Sequence, residues 1–224
     1  DFMFEQIEGL SAKVAGESIP HAWKASVQTT MLRKQLESMA DGGTFAISIP
    51  KAPYRCPPGP YERACQVAFY LKNNKPKSKV LILDANPDIV SKKGLFMAAW
   101  KELYPGMVEH RPNAEVKQVN VAGKMLKTEF EDVKADVLNV IPPMKAGAVA
   151  NMAGVVNVDN RWCAVDFLSY ESKVQKNIHV IGDAVSAAMP KSGYTANSEA
   201  KICAAAVIEL LQGRQPDPVP VIAN

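Results

Sequence analysis

Short apolar runs alternate with amphipathic stretches along the chain, and their spacing predicts an α/β order. Residues 18–40 place Ala22, Trp23, Val27, Thr30, Met31 and Leu36 on one stripe, a helical period that Asp41-Gly42-Gly43 ends. Thr44–Ile49 reads as a short buried strand, the stretch from Pro60 to Asn73 as a helix, and Lys79–Asp84 as a second buried strand, which together make a βαβ unit. A further helix is expected from Gly94 to Tyr104. Glu115–Val121 and Lys124–Phe130 alternate around Ala122-Gly123, as in a hairpin. Asp136–Ile141 is a buried strand ended by Pro142-Pro143, Lys145–Ala153 a short helix, and Asn177–Asp183 one more apolar strand. The pattern closes on a long Ala-rich helix from Tyr194 to Gln212, stopped by Gly213. No internal repeat or low-complexity tract interrupts this order, and a domain junction is expected near Pro142-Pro143.

Composition narrows the class without naming a function. The 224 residues are 47% hydrophobic and 22% charged, ordinary for a globular protein. The net charge of +3 comes with no basic block suited to nucleic acid, and no apolar stretch is long enough to span a bilayer. Cys56, Cys65, Cys163 and Cys203 show no zinc-like spacing, and none of His21, His110 and His179 pairs with them. No metal site is expected. The opening Asp1-Phe2-Met3-Phe4 and the extended tail Val219–Asn224 read as cut ends of a longer protein.

The chemistry concentrates in one loop. In a dinucleotide-binding βαβ unit the first strand runs into a glycine-rich turn whose N–H groups hold a pyrophosphate. Here the equivalent turn runs from Pro50 to Pro60 and carries five prolines in eleven residues. Proline has no N–H to donate and its ring blocks close approach, so this loop argues against NAD(P). What it presents is Cys56, between Arg55 and two prolines and just ahead of a helix N-terminus, a setting that favours thiolate. Glu62, in the first helical turn, is placed as a proton acceptor. The plain alternatives are an inert cysteine, a Glu62 that only complements the helix dipole, and solvated Arg55 and Arg63. Likewise Gly182-Asp183 alone reads first as a strand followed by a turn or helix cap. Asp84, where a ribose ligand would sit, reads as strand termination.

Four stretches together resemble a known family. Tyr54-Arg55-Cys56-Pro57-Pro58-Gly59-Pro60-Tyr61-Glu62-Arg63-Ala64 is similar to the active-site loop of the flavoprotein subunit of flavocytochrome c sulfide dehydrogenase. Ile178–Ala184 followed by Met189–Asn197 agrees with it, as do Val140-Ile141-Pro142-Pro143 with Trp162-Cys163, and His21–Ala25 near the start. The resemblance implies an NAD-like Rossmann-type domain inserted in a split FAD-binding domain. Residues 15–141 would be the NAD-like domain without an NAD site, 142–213 the second half of the FAD domain, and 214–224 a linker.

The same resemblance implies the site. Cys56 matches one member of a redox-active disulfide beside the flavin, with its partner beyond this chain, and Glu62 matches an acid/base. Gly182, Asp183 and Ala184 would approach the FAD, Asp183 binding its ribityl chain. Lys191, Ser192, Gly193 and Tyr194 open a helix whose N-terminus faces the flavin. Sulfide is then the substrate, a c-type cytochrome subunit the partner and the periplasm the compartment. FAD is expected in the full-length parent and not in this stretch alone, which would be inactive and prone to oligomerise through uncovered apolar surface. The alternatives are a sulfide:quinone reductase-like flavoprotein and a non-catalytic domain that binds no cofactor.

Overall fold

The computed structural model describes residues 1–220; the last four residues of the expected linker, and with them part of the extended tail, lie outside the described residues. Contacts divide the chain into two compact units. One comprises Met3–Ala52 and Pro58–Pro143; the other comprises Asp1–Phe2, Pro53–Pro57 and the chain from Met144 onward.

The first unit is built on a parallel sheet of β1 (Thr44–Ile49), β2 (Lys79–Asp84), β3 (Val108–Arg111) and β7 (Val137–Val140), in the order β3-β2-β1-β7. β1 and β2 read as continuous apolar runs because both faces of such a sheet are covered. One face carries Ala46, Leu81, Leu83, Leu138 and Val140 and packs on Ile7, Leu10, Ile19, Val119, Leu126 and Val133. Three of those come from a small antiparallel sheet, β4 (Gln118–Asn120), β5 (Met125–Lys127) and β6 (Asp132–Lys134). The expected hairpin is therefore β4–β5, with Asn120 opposite Met125, and a third strand follows it.

Helix α3 (Gly59–Asn74) contacts β1 and β2. Its buried Tyr61, Ala64, Val67, Ala68 and Leu71 repeat at helical spacing, and Pro60 sits in the first turn, where its missing N–H costs nothing. Helix α4 (Lys93–Leu103) adds Phe96 and Trp100, whose rings lie 5.4 and 6.5 Å from that of Tyr61. Lys75 ends α3 and sends its buried ammonium to the carbonyls of Leu36, Glu37 and Met39, so one cation satisfies the C-terminal acceptors of α2 (Val27–Ser38).

One expected helix is shorter than its stripe. Residues 18–40 are not continuous: α1 (Ala12–Glu17) ends before them and α2 begins only at Val27, capped by Ser26. Between the two helices Ala22 adopts φ 48°, and other partners take the backbone groups that a helix would use. Gln28 accepts from the N–H groups of His21 and Ala22, while Asn139 and Arg63 donate to the carbonyls of Pro20, His21 and Ala22.

The second unit holds α5 (Ala148–Met152), within the expected 145–153, and α6 (Gly193–Leu211). Ser192 caps α6 by accepting from Thr195 N–H, and Gly213 follows its end at φ 73°. The expected strand Asn177–Asp183 does not form. His179 makes one bridge to Glu171, Ile178 and Ile181 are exposed, and Gly182–Ala184 is a turn of 3₁₀ helix. A strand needs a ladder to hold it, and among the described residues the pairing of this stretch with Tyr170–Ser172 does not extend beyond that single bridge.

Candidate functional site

The loop after β1 is divided between the two units, and each part has its own partners. In the first unit, Asn86 donates to Pro50 O and accepts from Ala52 N–H. Asn86 in turn donates twice to Asp84 Oδ1, while Tyr61 and His110 contact Asp84 Oδ2 at 2.7 and 3.0 Å. Asp84 is fully buried. The carboxylate at the end of the second strand, where a nucleotide ribose would be read, is thus consumed by internal partners. It is more than a strand terminator: Asn86, Tyr61 and His110 all bind it inside the unit.

In the second unit, residues Pro53–Pro57 lie against the chain from Met144 onward. Arg161 donates to Met144 O and Pro53 O, Arg55 N–H approaches Met144 Sδ at 3.4 Å, and Cys56 N–H donates to Lys191 O at 2.7 Å. Tyr54, itself buried, donates to Pro57 O. Cys56 is half-buried and adopts φ 59°, a left-handed conformation that a non-glycine residue holds only when its surroundings impose it. No disulfide joins Cys56, Cys65, Cys163 or Cys203 to one another.

Lys191 is the hub of this arrangement. Its ammonium donates to the carbonyls of Asp183 and Val185, both at 2.7 Å, and stands 3.9 Å from the centre of the Trp162 ring. Burial pulls its pKa down to about 8, while Asp183 and Glu199 act to raise it. Glu199 is buried on α6 and accepts from Gly182 N–H; burial pushes its carboxyl above the usual range. Burial likewise raises the thiol of Cys163, which is fully enclosed.

The structure therefore gathers Cys56, Gly182, Asp183, Lys191 and the start of α6 in one unit. Gly182 adopts φ 73°, which favours glycine, and a side chain there would meet Ala196 Cβ at 3.4 Å. Ala184 accepts from Cys163 N–H and Ser192 is spent on capping α6. Gly193 and Tyr194 are exposed, and their N–H groups precede the first intrahelical bond, from Ala196 N–H to Ser192 O. Glu62 lies exposed in the first turn of α3, in the other unit. Arg63 is not solvated surface: it binds the carbonyls of His21 and Ala22 and the Asn139 side chain, and lies 4.7 Å over Trp23. Sequence reasoning missed Arg161 and Glu199 in this site; an Arg-Trp pair and a glutamate amid alanines carry no signal of their own.

The donors fit a flavin, within limits. The space enclosed by Gly182, Asp183, Lys191, Ser192, Thr195 and Glu199 is only about 10 Å³, room for at most a water molecule. A planar ring system would have to lie outside it, against exposed Gly193 and Tyr194, where the N-terminal N–H groups of α6 favour negative charge. A wider groove of about 890 Å³, lined by α1, α2 and β7, contains none of these residues. Among the described residues no group of three or more His, Cys, Asp or Glu side chains is placed to hold a metal, and no helix is long and apolar enough to cross a membrane.

Comparison with known proteins bears on both units. The fold is similar to a chain of the Tetrahymena thermophila mitochondrial ATP synthase F1Fo composite tetramer, with TM-score 0.72 and 20% identity over 97% of this chain and 56% of that one. It is similar to a pyridine nucleotide-disulfide family oxidoreductase from Enterococcus faecalis V583, with TM-score 0.56 and 17% identity over 81% and 38%. It is also similar to the HOCl-induced flavoprotein disulfide reductase RclA from Escherichia coli in its Cu(II) complex, with TM-score 0.53 and 18% identity over 74% and 36%. The chain thus spans less than two thirds of each of these structures. They show the fold: an α/β architecture of the disulfide-reductase-like flavoprotein type, present in part. Residues 29–142, from α2 through the Cys56 loop to the end of β7, match the family model described as sulfide dehydrogenase [flavocytochrome c] flavoprotein chain, central, and the chain belongs to that family.

Proposed function

We propose that the parent protein oxidises sulfide at a cysteine pair that includes Cys56, and passes the electrons through FAD to a c-type cytochrome subunit in the periplasm. One observation carries this reading. The Cys56 N–H bonds the carbonyl of Lys191, whose side chain holds Asp183, so the thiol-bearing loop is tied to the turn and helix start that would meet a flavin.

The second cysteine would lie outside these 224 residues. Hydrosulfide attacks one sulfur of the disulfide, the S–S bond breaks, a persulfide forms on that cysteine and the other leaves as thiolate. Over the cycle hydrosulfide gives up two electrons and one proton, and its sulfur leaves at the zero oxidation level. FAD, when bound, supplies a two-electron acceptor that can release electrons singly to a haem. The chain's own residues do the rest: Asp183 and the Gly193 and Tyr194 N–H groups bind and orient, and Lys191 fixes the Cys56 backbone.

The test is sulfide-dependent bleaching of the flavin in the full-length protein, for which Cys56→Ser is expected to abolish the reaction. A Cys56→Ser protein that bleaches at the wild-type rate overturns the reading. Supplying cytochrome c or a soluble quinone as acceptor then separates this activity from that of a sulfide:quinone reductase.

A further inference from the structure

Three consecutive residues, Arg161, Trp162 and Cys163, link the Cys56 loop, the Gly182–Ala184 turn and Lys191 in the second unit. Arg161 holds the Cys56 loop through Pro53 O and the start of the unit through Met144 O. Cys163 N–H donates to Ala184 O and Cys163 O accepts from Ser186 N–H, which fixes the Gly182–Ala184 turn from behind. The ring of Trp162, buried between them in sequence, takes the Lys191 ammonium at 3.9 Å and the Arg161 guanidinium at 5.1 Å.

This arrangement answers a physical problem. Lys191 is 7% exposed, its ammonium hydrogen bonds go to the carbonyls of Asp183 and Val185, and among the described residues the carboxylates of Asp183 and Glu199 act on it only at longer range, outside an ion pair. A buried cation needs compensation, and an aromatic face in a desolvated site supplies it. Lys191 O in turn receives the N–H of Cys56, which is held at a left-handed φ of 59°. Such a conformation relaxes unless its neighbours keep it.

We propose that Trp162 is a positioning residue that, through Lys191 and Arg161, sets the Cys56 backbone against the Gly182–Asp183 turn, an inference that rests on the sulfide-oxidising role proposed above for Cys56. Lys191 is then a strut turned into the protein and not a ligand that reaches the cofactor. Trp162 then acts through the two cations, Arg161 and Lys191.

Amide hydrogen exchange on the 224-residue chain tests the linkage without substrate. Trp162→Leu and Lys191→Met are expected to speed exchange at the Cys56 N–H by about tenfold or more, the scale of a lost desolvated cation–π contact. Trp162→Phe keeps an aromatic face and is expected to restore slow exchange. Protection along α6 reports that the unit is still folded. In the full-length protein, Trp162→Leu should lower kcat for sulfide oxidation by a similar factor with KM little changed, and Trp162→Phe should recover it. Unchanged Cys56 exchange in a folded Trp162→Leu chain overturns the proposal, as does faster exchange with unchanged kcat. If instead Cys56→Ser bleaches flavin at the wild-type rate, the reaction assigned to Cys56 fails while the exchange result stands, so the two failures are distinguishable.

Discussion

Cys56 and Lys191 meet through their backbones: the N–H of one donates to the carbonyl of the other at 2.7 Å. The bond joins a proline-rich loop that follows the first strand to the segment that starts the last helix. It brings the thiol into the same unit as Gly182 and Asp183. Several consequences can be measured.

Lys191 gives stability a pH dependence of known sign. Its pKa falls from 10.5 in the unfolded chain to about 8 in the fold, because burial disfavours the charge. Between those values the unfolded chain binds the extra proton, so this group adds stability as pH rises from about 8 towards 10.5 and penalises the fold fully below 8. Urea unfolding of the wild type and Lys191→Met at a series of pH values isolates the effect. The difference between the two should shift in favour of the wild type across that window, and a flat difference contradicts it.

Asp84→Ala removes the acceptor shared by Tyr61, His110 and the two Asn86 donors, all enclosed. Leaving such partners unmatched costs about 3–5 kcal/mol. Denaturant midpoints report the loss, and proteolysis within residues 50–57 should become faster because Asn86 no longer holds Pro50 and Ala52.

Arg63→Ala should cost about 2–4 kcal/mol, from three hydrogen bonds and a stacked Trp23. Arg63→Lys should recover little, since a single ammonium cannot span two carbonyls and a side-chain amide while stacking on a ring. Thermal unfolding of the pair decides the matter.

Ser48 offers a change of the opposite sign. It sits in β1, 3% exposed, and its hydroxyl has no hydrogen-bond partner. Ser48→Ala removes that unmet group and is expected to stabilise the protein by about 1 kcal/mol, read as a higher denaturant midpoint with an unchanged slope.

Gly182→Ala forces a side chain into φ 73° beside Ala196 Cβ. The backbone term alone is about 1–2 kcal/mol. Exchange protection should fall first at Gly182–Val185, whose turn bond from Val185 N–H to Gly182 O is the one most directly strained.

The buried strands β1, β2 and β7, the helices α3, α4 and α6 and the β4–β5 hairpin were legible in the sequence because each rests on local periodicity and on stop signals. Where reading failed, long-range partners had decided. The stripe over residues 18–26 is helical in period, yet Asn139, Arg63 and Gln28 bind its backbone in another shape. The apolar run 177–183 is strand-like in composition, yet among the described residues it makes the single bridge from His179 to Glu171 and no ladder.

The site divides the same way. The poor match of the proline loop to a phosphate-binding turn follows from covalent chemistry, since proline lacks an N–H wherever it stands. That Asp84 is sealed inside, that Arg63 clamps a distant turn, and that Lys191 points inward at Trp162 were settled only by folding. A charged side chain's role depends on which carbonyls and rings surround it, and those come from segments far apart in the chain.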